Sequence, residues 1–344
     1  MHNFIILKYI SMALLKKIGS HFLPLLLSAA ISGTCFSQEK IIFDTDFGGD
    51  ADDLGALVML HNYIDSGACE LLAVMCWSTE QYAIPAIDAV NRYYKHPELP
   101  LAIRSKNVDY REWNYNEIIA NNFPYKLNHT DVRLTTDLYR EILSQQEDKS
   151  VTIVTVGPLK NIEDLLKSQE DQHSDLKGYD LLHKKVKRFV IMGGKFPSGE
   201  DEWNFDGGML GVTRYVLENL KVPVIFSGFE IGVQIKTGAV FNDIEKNTPL
   251  YMGFKHFSAN APWMKEYYKG KILDNSSYDQ TAVLFAVEGG IGKYWDLEKN
   301  GKCVVNAEGD SKWVDGKNSN HSYLILKKDP EEMAEIIVDR MLGN

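Results

Sequence analysis

Cysteine is scarce in this chain, and so is any long apolar stretch. Four cysteines stand among 344 residues. Beyond the N-terminal segment only Cys69, Cys76 and Cys303 remain, an odd number, and Cys69 and Cys76 bracket an extended run that would hold them too far apart to bridge. No disulfide framework is expected, and each thiol reads as a small buried apolar group. The apolar run from Phe22 to Ile31 is too short to cross a bilayer as a helix. Basic residues are outnumbered, 37 Lys and Arg against 47 Asp and Glu, for a net charge of -10. That balance argues against nucleic-acid polymers and anionic membranes as partners while leaving a small neutral ligand open. There is no internal repeat, low-complexity tract or obvious linker.

Lys16 and Lys17 precede the apolar run, and small residues then lead to Cys35-Phe36-Ser37-Gln38, the layout of an export signal. Cleavage is expected after Ser37. Lipidation at Cys35, the one membrane anchor considered, fits less well, because a lipoprotein signal wants a small residue directly before the cysteine and Thr34 stands there. Residues 1–37 are therefore read as a signal peptide and 38–344 as one domain, periplasmic or secreted, with ample material for a core. Removing Lys8, Lys16 and Lys17 with the signal leaves -13.

What is present is acid. The apolar run Ile41-Ile42-Phe43 opens directly into Asp44-Thr45-Asp46-Phe47-Gly48-Gly49-Asp50-Ala51-Asp52-Asp53, and a helical apolar stretch follows to Leu60. The layout predicts a buried strand, an acidic loop and a first helix, the ligand-binding end of an open α/β sheet. One or two of these aspartates could serve only as helix caps. So many in one loop repel one another unless a cation lies among them, and oxygen-only ligands on a Gly-rich turn suit Ca²⁺ or Mg²⁺ rather than zinc. An EF-hand is excluded: counting from Asp44, its fifth and twelfth positions are Gly48 and Gly55. A metal-dependent phosphohydrolase also opens with a strand and Asp-x-Asp. It would want a Lys or Arg near the loop to bind phosphate, and none occurs between Asp44 and Leu60.

Further strands are expected at Leu71–Cys76, Leu101–Ile103, Val151–Val156, Arg188–Met192 and Val222–Phe226, with helices between them and a polar, aromatic excursion from Asp109 to Asp131. Alternation of this kind predicts an α/β fold: an open, mostly parallel, Rossmann-like sheet with helices on both faces, in a single domain.

Five short motifs, in order, resemble the inosine-uridine nucleoside hydrolase family. They are Asp44-Thr45-Asp46 through Asp52-Asp53, with two residues more than the family form before the final pair; Gly157-Pro158-Leu159-Lys160-Asn161; Met192-Gly193-Gly194; Glu202-Trp203-Asn204; and Tyr278-Asp279 ahead of a helix. The resemblance implies Ca²⁺-dependent hydrolysis of a ribosyl N-glycosidic bond. It assigns the ion to Asp46, Asp53, Asp279 and the Val156 carbonyl, with Asp46 as general base on a water held by the ion. Asp52 would accept from the ribose 2'-OH, and Glu202 and Asn204 would hold the far side of the sugar. A homodimer or homotetramer is implied in the same way.

Two departures matter. Tyr278 stands where pyrimidine-accepting members carry a His that helps the base leave, and a phenol with pKa near ~10 is a poor donor at neutral pH. The family's Asn after the second strand has no match in Trp77-Ser78-Thr79. Aromatic residues are candidates for holding a purine, among them Trp77, Trp203, Trp263, Tyr267, Tyr268 and Tyr278; His256 is a candidate replacement acid, with a plain surface histidine the preferred reading. Four readings remain open: a nucleoside hydrolase, a non-catalytic Ca²⁺ and ribonucleoside binder, a hydrolase of a modified pentoside and, as the lesser alternative, the metal-dependent phosphohydrolase.

Overall fold

Alternation along the strands, interrupted by one register shift between β1 and β2, splits the interior in two. In β1 (Glu39–Thr45), Ile41 and Phe43 enter one apolar cluster and Ile42 the other. In β2 (Cys69–Cys76), Val74 and Cys76 join the first, while Ala73 and Met75 join the second. A strand apolar on both faces must be covered on both, so helices pack on each side. The computed structural model describes residues 38–316 and 319–344; the expected signal segment, 1–37, lies outside the described residues.

The remaining strands of the main sheet are β3 (Leu101–Ile103), β4 (Arg133–Leu134), β5 (Val151–Thr155), β6 (Val186–Met192), β7 (Val224–Ser227), β8 (Trp295–Glu298) and β9 (His321–Leu326). Their order is β8-β9-β7-β6-β5-β1-β2-β3-β4, nine strands in all. Every neighbouring pair is parallel except β8 and β9. The chain runs outward from β1 through β2 and β3 to β4, returns to lay β5 against the other side of β1, and runs outward again through β6 to β7. The reversal between β1 and β5 opens a crevice at the carboxyl ends of the strands, where open α/β sheets place their ligands.

The expected α/β architecture is therefore the one observed. β4, β8 and β9 were not expected from the sequence, nor was the small sheet of Ser198–Gly199, Gly301–Val305 and Ser311–Asp315. β4 is two exposed residues, and β8 is Trp-Asp-Leu-Glu; sheet edges need no continuous apolar run. Cys69, Cys76 and Cys303 are free and buried. Among the described residues, no helix is long and apolar enough to cross a membrane.

Candidate active site

Two helix N-termini and one strand end converge on the crevice. Leaving β1, the chain turns through Asp46–Asp50 into the helix Ala51–Asp65, with Asp52 and Asp53 in its first turn. The helix Tyr278–Glu288 packs along it and carries Asp279 in its own first turn. Carboxylates are favoured at the positive end of a helix, which lets three of them gather here. One oxygen from each of Asp52, Asp53 and Asp279 lies within 4.8 Å of the others, and all three residues are buried. The Asp279 N–H donates to Asp52 Oδ2 at 3.3 Å, and the Thr45 hydroxyl donates to Asp53. Burial, followed by repulsion from neighbouring aspartates, pushes all three carboxyls well above the usual range.

Asp46 borders the same cavity. Its Oδ2 accepts from the Trp203 indole N–H at 2.7 Å. Burial raises it to about 6 against the pull of that indole. Asp50 also lines the cavity and accepts from the Asn275 amide. Asp44 does not reach the cavity: it lies on the other face of β1, where Tyr139 Oη and Asn161 Nδ2 donate to it at 2.7 and 2.9 Å. The Asn of Gly157-Pro158-Leu159-Lys160-Asn161 is thus an anchor for β1.

Val156 follows β5 and borders the cavity beside Met192 at the end of β6. Asn204 Nδ2 donates to both carbonyls, at 3.0 and 3.2 Å, tying the two strand ends together. Glu202 caps the short helix Trp203–Asp206, accepting from the N–H groups of Asn204 and Phe205 at 3.1 Å each and from that of Gly194 at 2.7 Å. Burial lifts its carboxyl to about 7. Gly194 has φ +77°, and a side chain there would strike the Phe205 ring. The Met-Gly-Gly and Glu-Trp-Asn motifs are therefore two halves of one clamp.

Above the acidic floor the cavity, of about 380 Å³, is walled by rings. Trp77 meets Trp203 edge to face at 6.4 Å and carries the Arg104 guanidinium over its ring, 4.4 Å from the centroid. Trp113 stands edge to face with Trp263 at 5.3 Å, and Tyr278 stacks on Phe229 at 5.1 Å. Burial pushes the Tyr278 hydroxyl up to about 12.

Among the lining residues that escaped sequence reasoning, Arg111, Trp113 and Asn114 stand together, apart from Asp201 and Phe229. These three come from the polar, aromatic excursion, which folds back onto the acidic loop. The Gly48 N–H donates to Tyr115 Oη at 3.1 Å, and Asn116 Nδ2 donates to the Phe47 carbonyl at 3.2 Å and to Glu80 at 2.9 Å. Gly48 has φ +120°, and a Cβ there would fall 2.0 Å from Asn116 Nδ2. The aromatic density of that segment was the available signal. Other expectations are corrected. His256 does not border the cavity; it is half-buried in the helix Pro249–Asn260, with Nε2 unpartnered. Tyr267 and Tyr268 also stand outside the cavity lining.

No family model matches the chain, and no curated protein matches it. Solved structures do. A purine-preferring ribonucleoside hydrolase from Gardnerella vaginalis aligns with TM-score 0.66 at 14% identity, covering 89% of this chain and 97% of that one. An inosine-guanosine nucleoside hydrolase aligns with TM-score 0.65 at 18% identity, covering 89% and 98%. A plant nucleoside hydrolase aligns with TM-score 0.61 at 15% identity, covering 88% and 98%. At these identities the likeness establishes a shared fold.

Proposed function

We propose that the chain hydrolyses the N-glycosidic bond of a ribonucleoside, releasing ribose and a free base. The observation that carries this reading is the pairing of a buried carboxylate floor with an aromatic wall, at the switch point of a fold shared with solved nucleoside hydrolases. Metal dependence follows from the donor set. Asp52, Asp53 and Asp279 are hard oxygen donors held close together and out of water, and they fit a hard divalent cation, for which Ca²⁺ is proposed. Asp53 and Asp279 of that group would hold it, with Asp46 and the Val156 carbonyl, which border the same cavity, completing the set that the resemblance implies. When bound, the ion supplies positive charge that orders a pair of sugar hydroxyls and acidifies a neighbouring water.

The chain's own groups divide the remaining work. Asp46, which borders the cavity, would take the proton from the attacking water. Asp52 accepts from the 2'-hydroxyl, and Glu202 and Asn204 border the far side of the sugar. Indole faces stack a flat base, an interaction worth roughly 1 to 3 kcal/mol per base. The layout of residues 1–37 supports action outside the cytoplasm.

One observation favours a second reading. Among the described residues no histidine lines the cavity, and the Tyr278 hydroxyl is a weak acid at about 12. Help for a poor leaving group is therefore thin, which suits a modified pentoside with a better leaving group, or a binder that does not turn over. The deciding test is release of base and reducing sugar from a panel of ribonucleosides by the purified chain 38–344, with and without a calcium chelator. Chelator-sensitive release supports the hydrolase. Asp46→Asn should then cost about 10²- to 10⁴-fold in kcat with little change in binding. Tight nucleoside binding without release would replace the hydrolase with the binder.

A further inference from the structure

Asn114 is a wall residue whose amide oxygen the fold does not use. It borders the cavity and is 3% exposed. Its backbone N–H closes a turn onto the Arg111 carbonyl at 3.0 Å, so the turn forms without the side chain. The next helix, Asn116–Asn122, starts after Tyr115 with no side-chain cap. Asparagine in a turn ordinarily bonds nearby backbone. Here the amide oxygen is buried with no partner at all. An unpaired buried amide is a net cost to folding, and leucine, of similar size, would suit the fold better. The amide is of use only to something that enters the cavity.

Its surroundings indicate which part of a ligand it meets. The floor of carboxylates accepts from hydroxyls, and the Asn114 amide is bonded to none of those carboxylates. It follows Trp113, which stands edge to face with Trp263, so it belongs to the part of the wall built from indoles. A primary amide offers a donor and an acceptor side by side, the complement of a nucleobase edge, and a half-turn about χ2 presents either end. We propose that Asn114 hydrogen-bonds the edge of the leaving base and sets base preference. The assignment rests on the nucleoside-hydrolysis reading.

The test compares Asn114→Leu and Asn114→Ala with the unaltered chain, so that one misfolded variant does not decide the matter. Three quantities are measured: Tm, kcat/KM across nucleosides of different bases, and inhibition by free base and by free ribose. Expected are an unchanged or higher Tm, a fall of at least tenfold in kcat/KM for the preferred nucleoside, and a narrower spread between bases. Inhibition by the free base should weaken tenfold or more while inhibition by ribose holds. A lower Tm with base preference intact would make Asn114 structural and overturn the proposal, as would a loss confined to ribose. If the unaltered chain hydrolyses no nucleoside, the hydrolase reading falls separately. Calorimetry with free adenine, hypoxanthine and uracil then decides on Asn114. Binding lost in both variants supports it; binding kept in them, or absent from the unaltered chain, overturns it.

Discussion

The floor and the wall of the cavity are built by opposite means. Asp52, Asp53 and Asp279 are no more than 3% exposed and are fixed by two long helices and a strand end. Trp203 and Trp263 are about half exposed and sit on a four-residue helix and a turn. A floor of this kind holds donor atoms in one geometry, as bond cleavage requires. A wall held by ring edges can change its residues without disturbing the sheet. On the proposed function, chemistry would belong to the first and ligand choice to the second, and the two should separate under mutation.

The largest separation is expected at the floor. Asp53→Asn or Asp279→Asn should weaken Ca²⁺ binding by more than the ~10- to 100-fold that loss of a supporting partner costs a metal site, with turnover lost alongside. Trp263→Ala should leave Ca²⁺ affinity intact. Calorimetric titration of the three variants checks this, and equal loss of affinity in all three would abolish the distinction. In chelator the order reverses. Each carboxyl is pushed up by burial and like-charge neighbours, so removing one charge should raise Tm at pH 7.

Trp203 touches both regions, since its ring belongs to the wall and its N–H to Asp46. Trp203→Phe keeps a ring and removes the donor. A hydrogen bond to a charged group is worth ~1.5 to 3 kcal/mol when buried, and this indole is half exposed, so a loss of about tenfold in kcat/KM is expected. Ca²⁺ affinity should fall by no more than the ~10- to 100-fold that loss of such a partner costs. Steady-state kinetics set beside the ion titration would show whether the N–H matters apart from the ring.

The difference between floor and wall also explains what the sequence made legible. Strands such as Val151–Thr155 announce themselves because burial on both faces demands a continuous apolar run. The aspartates could be picked out because few local structures tolerate so many together. Even so, which of them share a site depends on chain reversal: Asp44 and Asp46 are two residues apart, yet one anchors β1 and the other borders the cavity. Arg111, Trp113 and Asn114 could not be assigned, because nothing local says that an aromatic loop folds back onto Gly48. That fact resides in the bonds from Asn116 and Tyr115, which are long-range.

Glu80 is where the fold-back is secured, and it supplies the smallest effect. Buried between the wall segment and the acidic loop, it accepts from Asn116 Nδ2 at 2.9 Å and from the Tyr82 N–H at 3.0 Å, while Oε1 has no partner. Burial raises its carboxyl from 4.5 to about 7. The folded chain therefore holds this proton more tightly than the unfolded chain does. Stability from the group is fully present below about 4.5 and is lost as pH rises through about 7. Glu80→Gln retains an acceptor and cannot ionise, so it should remove that share of the decline, at most ~3 kcal/mol and reduced by any water that reaches the site. Thermal melts in chelator at pH 5 and pH 8 should show a smaller drop for the variant, by roughly 2 to 4 °C per kcal/mol in a chain of this size. The floor carboxylates titrate in both proteins and cancel in the difference. Equal drops would mean that Glu80 is ionised throughout, and that the wall segment is held to the loop by a charge rather than by a neutral acid.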